Sequence, residues 1–367
     1  MKVDSILRKA EHGERISFEE GVYIYENASL AQLGVTANRI RNQKADPDVV
    51  TYLVDRNINY TNVCTTNCKF CNFYRPPGHE EAYILSREEL NQKIIETKEI
   101  GGTRILMQGG HHPDLPLAWY TDLLKWLRKT HPEIELDCFS PSEIDNLCLV
   151  EGKNALEILT ELRDAGLRGL PGGGAELLDD DIRSKVSPKK ISGVRWLEIM
   201  GVAQELGLHT SCSMVIGFGE KIENRIRHFD LLRSRQDESL DKFNNGFIAF
   251  IAWPLQYELV PFGKQSQNKG KLGAGSNEYL RNLAVSRIYL DNIDHFQASW
   301  PTMGFEVAEV ALEFGADDFG STMLEENVVS QASNDTHCNA RIDEIQTIIR
   351  QAGYEYRQRL TDYSLTT

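Results

Sequence analysis

From about residue 52, short apolar runs alternate with helical patterns, and the alternation recurs eight times. The runs at Asn57–Thr61, Thr103–Gln108, Glu135–Phe139, Leu167–Leu170, His209–Ile216, Phe247–Ala252 and Phe296–Trp300, with a short one near Asp317–Ser321, read as strands. Between them, sets such as Leu117, Tyr120, Leu124 and Leu127 repeat with the period of an amphipathic helix. Strands separated by helices pair in parallel, so the expected fold is α/β, a (β/α)8 barrel of the TIM type. A doubly wound open sheet is the alternative. Both folds gather functional groups at the carboxyl ends of their strands. The first 50 residues read as a helical extension, with a capping box at Ser17 and Glu20. The expected division is therefore an extension over 1–50, a barrel over 51–355 and a tail over 356–367.

The chain of 367 residues can bury a full core without covalent staples. Its 40 Lys and Arg against 54 Asp and Glu leave a formal charge of -14. That balance argues against nucleic acid as a partner, which needs a basic face to displace counterions. No apolar run reaches the roughly 20 residues that span a bilayer, and the N-terminus has no signal-peptide pattern. Seven cysteines, an odd number, suggest reduced thiols in the cytoplasm.

Three of those cysteines stand together. Cys64, Cys68 and Cys71 follow the first strand with the spacing C-x3-C-x2-C. Three thiolates on so short a loop can hold three irons of a cubane cluster and leave the fourth open to a chelating ligand. The alternatives are a zinc site, completed by a lone histidine, or three free thiols. Cys138, Cys148, Cys212 and Cys338 are scattered and read as small buried apolar residues.

The triplet in this place resembles that of the radical S-adenosylmethionine enzymes. The segments DRNINYTNVC (55–64), QGGHHPDL (108–115), LPGGGAELL (170–178), SPKK (187–190) and GSTMLEENVV (320–329) resemble, more narrowly, the cyclic dehypoxanthine futalosine synthase family of menaquinone biosynthesis. The resemblance implies a [4Fe-4S] cluster on the three cysteines and S-adenosyl-L-methionine on its open iron. It also implies an external one-electron reductant and dehypoxanthine futalosine as the small-molecule substrate. In that reaction a 5′-deoxyadenosyl radical takes a hydrogen from the ribose, and the carbon radical closes onto the benzoate ring. A sibling activity, aminofutalosine synthase, and a zinc-stabilised binding protein are the competing readings.

Carried onto this chain, the family pattern places Phe70 against the adenine, and Gln108, Gly109 and Gly110 near the methionine end. The usual acid after the two glycines is replaced here by His111 and His112, one of which faces the axis as a proton carrier or caps the turn. Glu176, after three glycines, either holds ribose hydroxyls or starts a helix in solvent. Glu143 either lines the pocket or caps the helix it begins. The family's histidine before Glu220 is absent, with Phe218 in the interval. Arg75 either meets the benzoate carboxylate or pairs with Glu80 or Glu81. Gln297, Ser299, Asp318 and Glu326, at the last strands, are the remaining expected substrate contacts.

Overall fold

The computed structural model describes residues 2–268, 270–334 and 338–366. Three helices come first: α1 (Val3–Glu11), α2 (Phe18–Asn27) and α3 (Leu30–Lys44). Serine begins two of them because its hydroxyl accepts a free amide of the first turn; Ser17 and Glu20 form the expected box, and Ser29 and Gln32 form another. α2 packs on the helix Ile222–Phe243, and α3 packs on the helix Ser276–Tyr289.

Ten strands follow. They are β1 (Val49–Leu53), β2 (Asp55–Ile58), β3 (Arg104–Met107), β4 (Glu135–Cys138), β5 (Gly169–Leu170), β6 (His209–Ile216), β7 (Phe247–Pro254), β8 (His295–Gln297), β9 (Asp318–Ser321) and β10 (Glu355–Gln358). All pair in parallel, in the order β10-β1-β9-β8-β7-β6-β5-β4-β3-β2. β1 and β2 are one bent strand broken at Val54, whose lower half meets β9 and whose upper half meets β3. The ring closes there: the Thr322 amide donates to Leu53 O at 3.1 Å and the Asn57 amide to Leu324 O at 2.9 Å. Eight strands thus make a TIM-type barrel, and the first begins at Val49, before the expected Asn57. A solved structure described below shares this fold.

β10 lies outside the ring of eight, paired with β1 from Val49↔Glu355 to Tyr52↔Gln358. The segment after it, expected as a tail, turns under the barrel. Arg359 N donates to Tyr52 O at 2.9 Å, and Thr361 N to Glu135 Oε2 at 3.2 Å. Arg359 and Thr361 are buried.

The barrel is hollow because of what its strands point inwards. Along β6, Cys212, Met214 and Ile216 are fully buried, while Ser211, Ser213 and Val215 line the interior. Successive side chains on a strand face opposite sides, so one face packs on helices and the other meets the axis. Small and polar residues on the axial face leave a cavity where barrels commonly stack branched apolar side chains. Among the described residues, no helix is long and apolar enough to cross a membrane.

Candidate functional site

The cavity has a volume of about 400 Å³ and runs from the loop after β2 down to the residues beneath the barrel. Its mouth is the cysteine loop. That loop is tied at its neck: the Cys64 amide donates to Arg75 O at 2.9 Å and the Arg75 amide to Asn62 O at 2.7 Å. Cys64, Cys68 and Cys71 all border the cavity. Thr66 sits between two of them, its hydroxyl 2.9 Å from Cys64 Sγ. Burial, together with Cys68 and Cys64, pushes the Cys71 thiol up to about 11. A thiol crowded like that of Cys71 resists ionising unless a cation compensates it. Iron in a cluster supplies that charge, and three cysteines at the cavity, with no fourth there among the described residues, match one open iron. The residues present therefore fit a [4Fe-4S] cluster.

The loop after β3 presses directly on the cysteines. A Cβ on Gly110 would lie 2.1 Å from Val63 O and 2.8 Å from Cys64 Cβ. Gly110 is therefore required by the protein's own cysteine loop. Gly110→Ala must displace that loop, and the expected result is iron content after reconstitution falling to a small fraction of wild type with helix content unchanged. Gly109 is held from below, its amide donating to Glu143 Oε1 at 3.0 Å. The same oxygen accepts Tyr60 Oη at 2.8 Å, and Ser140 Oγ donates to Oε2 at 2.8 Å. Burial raises the Glu143 carboxyl to about 7 against these three donors. Glu143 stands in the first turn of the helix Pro141–Glu151, but the cap of that helix is Ser140, and the Glu143 carboxylate lines the cavity instead.

Gln108 lines the cavity, with Nε2 donating to Phe139 O at 3.1 Å. Phe70 lines it as well, with its ring centroid 5.4 Å from that of Phe218. His111 belongs to the cavity wall; burial, aided by Lys190, lowers it to about 3, so it is a neutral imidazole at neutral pH. His112 does not belong to the wall. Its Nδ1 accepts the Asp114 amide at 3.1 Å and its carbonyl accepts Asn146, which fixes it in the turn. Glu176 is not solvated. Its carboxylate is buried against Lys190 Nζ at 2.6 Å and Arg183 Nη1 at 3.3 Å. Burial opposes its ionisation, but the two cations outweigh burial and lower it.

Three expected substrate contacts stand elsewhere. Arg75 pairs with Glu81, and its Nη1 donates to the carbonyls of Asn72, Phe73 and Tyr74. It is the brace of the cysteine loop, because a guanidinium fork satisfies three backbone oxygens that the turn leaves open. Ser299 is buried beside the wall, 2.7 Å from Thr302 Oγ1, with its amide donating to Tyr279 Oη. Asp318 is fully buried and bound to Arg359, Thr51 and the Gly320 amide. Gln297 and Glu326 do line the cavity, although Glu326 spends its oxygens on the amides of Val328, Val329 and Ser330.

Residues that the sequence reading passed over complete the site. Lys190, from SPKK, brings a buried ammonium whose field includes Cys68 and Glu176. Asn57, Arg104, Asp137 and His209 reach the cavity from inside the strands. Their signal was present: polar side chains at alternate positions of otherwise apolar runs, as in Arg104-Ile105-Leu106-Met107-Gln108.

Residues 58–232 match the radical SAM superfamily, and residues 244–367 match the CofH/MqnC C-terminal region. A cyclic dehypoxanthine futalosine synthase of Halalkalibacterium halodurans is 43% identical over 365 residues, which are 100% of this chain and 95% of the relative. An aminodeoxyfutalosine synthase of Thermus thermophilus is 36% identical over 352 residues, covering 95% of this chain and 91% of the relative. Among solved structures, methylornithine synthase superposes with a TM-score of 0.73 at 15% identity, covering 96% of this chain and 97% of that one, and supports the fold alone.

Proposed function

The chain belongs to the radical SAM superfamily, in the branch that carries the CofH/MqnC C-terminal region, and we propose that it converts dehypoxanthine futalosine to cyclic dehypoxanthine futalosine. The full-length likeness to a synthase of that name carries this reading; the sibling synthase is less similar over a slightly smaller part of the chain. A [4Fe-4S] cluster with S-adenosyl-L-methionine, once reduced by an external one-electron donor, supplies a 5′-deoxyadenosyl radical.

The chain's own residues do the rest. Cys64, Cys68 and Cys71 hold the cluster at the mouth, and Arg75 and Gly110 keep their loop in place. Phe70 gives the adenine an apolar face. The backbone of Gly109 and Gly110 lies at the methionine end. Lys190 supplies a buried cation for a carboxylate, held upright by Glu176. Deeper in, Leu106, Ala249 and Ile251 offer an apolar wall for an aromatic ring, and Gln297 a polar contact. Enclosure by the barrel holds the ribose against the radical and keeps competing C–H bonds away. His111, neutral in the wall, contacts substrate without adding charge. The formal net charge of -14 suits a cytoplasmic enzyme that needs neither nucleic acid nor membrane.

The test is turnover of dehypoxanthine futalosine under reducing, anaerobic conditions. The expected product is lighter than the substrate by two hydrogens, with 5′-deoxyadenosine formed alongside. Deuterium placed at the ribose 4′ carbon should arrive in that 5′-deoxyadenosine. An adenosyl adduct of an enol-ether benzoate, with dehypoxanthine futalosine untouched, would overturn the reading in favour of the sibling activity.

A further inference from the structure

Four carboxylates line the cavity among the described residues: Asp137, Glu143, Glu176 and Glu326. Three are committed. Glu143 accepts from Tyr60, Gly109 and Ser140, Glu176 is paired with Lys190 and Arg183, and Glu326 caps three amides. Asp137 differs. Its Oδ2 accepts Arg104 Nη1 at 3.1 Å, and its Oδ1 accepts no hydrogen bond among the described residues. That oxygen lies in a niche kept open by the lack of a side chain on Gly169, where a Cβ would come within 2.2 Å of it. Leu106, Ala249 and Ile251 share the cavity with it.

We propose that Asp137 is the general base that takes the proton released when the benzoate ring regains aromaticity, a role that rests on the function proposed above. After the ribose carbon has bonded to the ring, the attacked ring carbon still carries its hydrogen, and the ring holds one unpaired electron. The C–H bond breaks, the proton goes to Oδ1, and the bonding pair stays in the ring. The one surplus electron leaves to an oxidised acceptor of the iron–sulfur class. The ring is then aromatic and the charges balance.

The surroundings suit a base that works near neutrality. Asp137 faces Arg104 of β3, Asp55 of β2, Glu135 of its own strand and His209 of β6. Burial, with Asp55 and Glu135, raises its carboxyl to about 6 against Arg104 and His209. A carboxylate so poised gains driving force for proton abstraction and remains largely ionised at pH 7. His209 is half-buried, and the exposed Asp362 lies in its field.

Asp137→Asn keeps the shape and the hydrogen bond to Arg104 and removes the basicity. With substrate deuterated at the ribose 4′ carbon, cyclised product should form at least ~100-fold more slowly, the size of a general-base contribution. Deuterium transfer into 5′-deoxyadenosine should persist within a few fold, because hydrogen abstraction precedes the step. Asp137→Glu should recover part of the product rate. In the metal-free protein, an infrared carboxyl band should titrate near pH 6 and be missing from Asp137→Asn. Product formation in Asp137→Asn within about 3-fold of wild type would overturn the proposal. So would equal loss of deuterium transfer and product in both variants, the mark of a structural role. A wild type that forms no cyclised product sinks the proposed function instead.

Discussion

Replacement of Cys64, Cys68 or Cys71 by alanine abolishes both the brown chromophore formed on anaerobic reconstitution and the cleavage of S-adenosyl-L-methionine. Three thiolates are the whole protein donor set of such a cluster, so losing one leaves two irons without a protein ligand. The other four cysteines give the contrast. Cys138 and Cys212 are fully buried behind the strands, Cys148 is buried on the helix Pro141–Glu151, and Cys338 is exposed. None of them borders the cavity. Alanine at Cys138 or Cys212 costs on the order of 1 kcal/mol in lost packing and leaves iron content and absorption near those of wild type. Loss of the chromophore in any of these four variants would refute the ligand assignment.

How far the sequence could be read depended on which face of a strand a residue occupies. The barrel was legible because eight apolar runs with helices between them admit few topologies. The cysteine loop was legible because its spacing is local. Asp318 and Ser299 were misplaced for one shared reason. A polar residue at a strand end is compatible with the cavity and with the packing behind it, and the choice depends on partners far away in sequence. For Asp318 that partner is Arg359, which the sequence reading left in a tail. For Arg75 the sequence leaves two partners open, and the structure has the pair with Glu81, with three carbonyls of its own loop holding the rest of the guanidinium. Asp137 and Arg104 were missed because they interrupt apolar strands, where a barrel with an ordinary filled interior has no place for charge. The hollow interior makes that place, and its one trace in the sequence is the alternation of polar with apolar residues along runs such as 104–108.

Asp318 bears the largest expected stability effect, since its carboxylate and Arg359 are both buried. Arg359 Nη2 lies 3.1 Å from Asp318 Oδ1, and its Nε meets Oδ2. The guanidinium stacks 3.9 Å from the ring centre of Tyr363, which in turn stacks on His295 at 3.7 Å. The pair therefore fastens the C-terminal segment beneath the barrel. Asp318→Ala strands a buried cation, and breaking such a pair from one side costs about 3–5 kcal/mol. The denaturation midpoint should fall accordingly. Replacing both partners, Asp318→Leu with Arg359→Met, removes the stranded charge, so much of the loss should return. The bonds of Asp318 to Thr51 and Gly320 are lost in both variants, which makes full recovery unexpected. A substrate ligand would behave in the opposite way: Asp318→Ala would keep the midpoint and raise KM. The cavity floor is made by this segment, so the double variant should also show whether a neutral floor still supports turnover once the fold is restored.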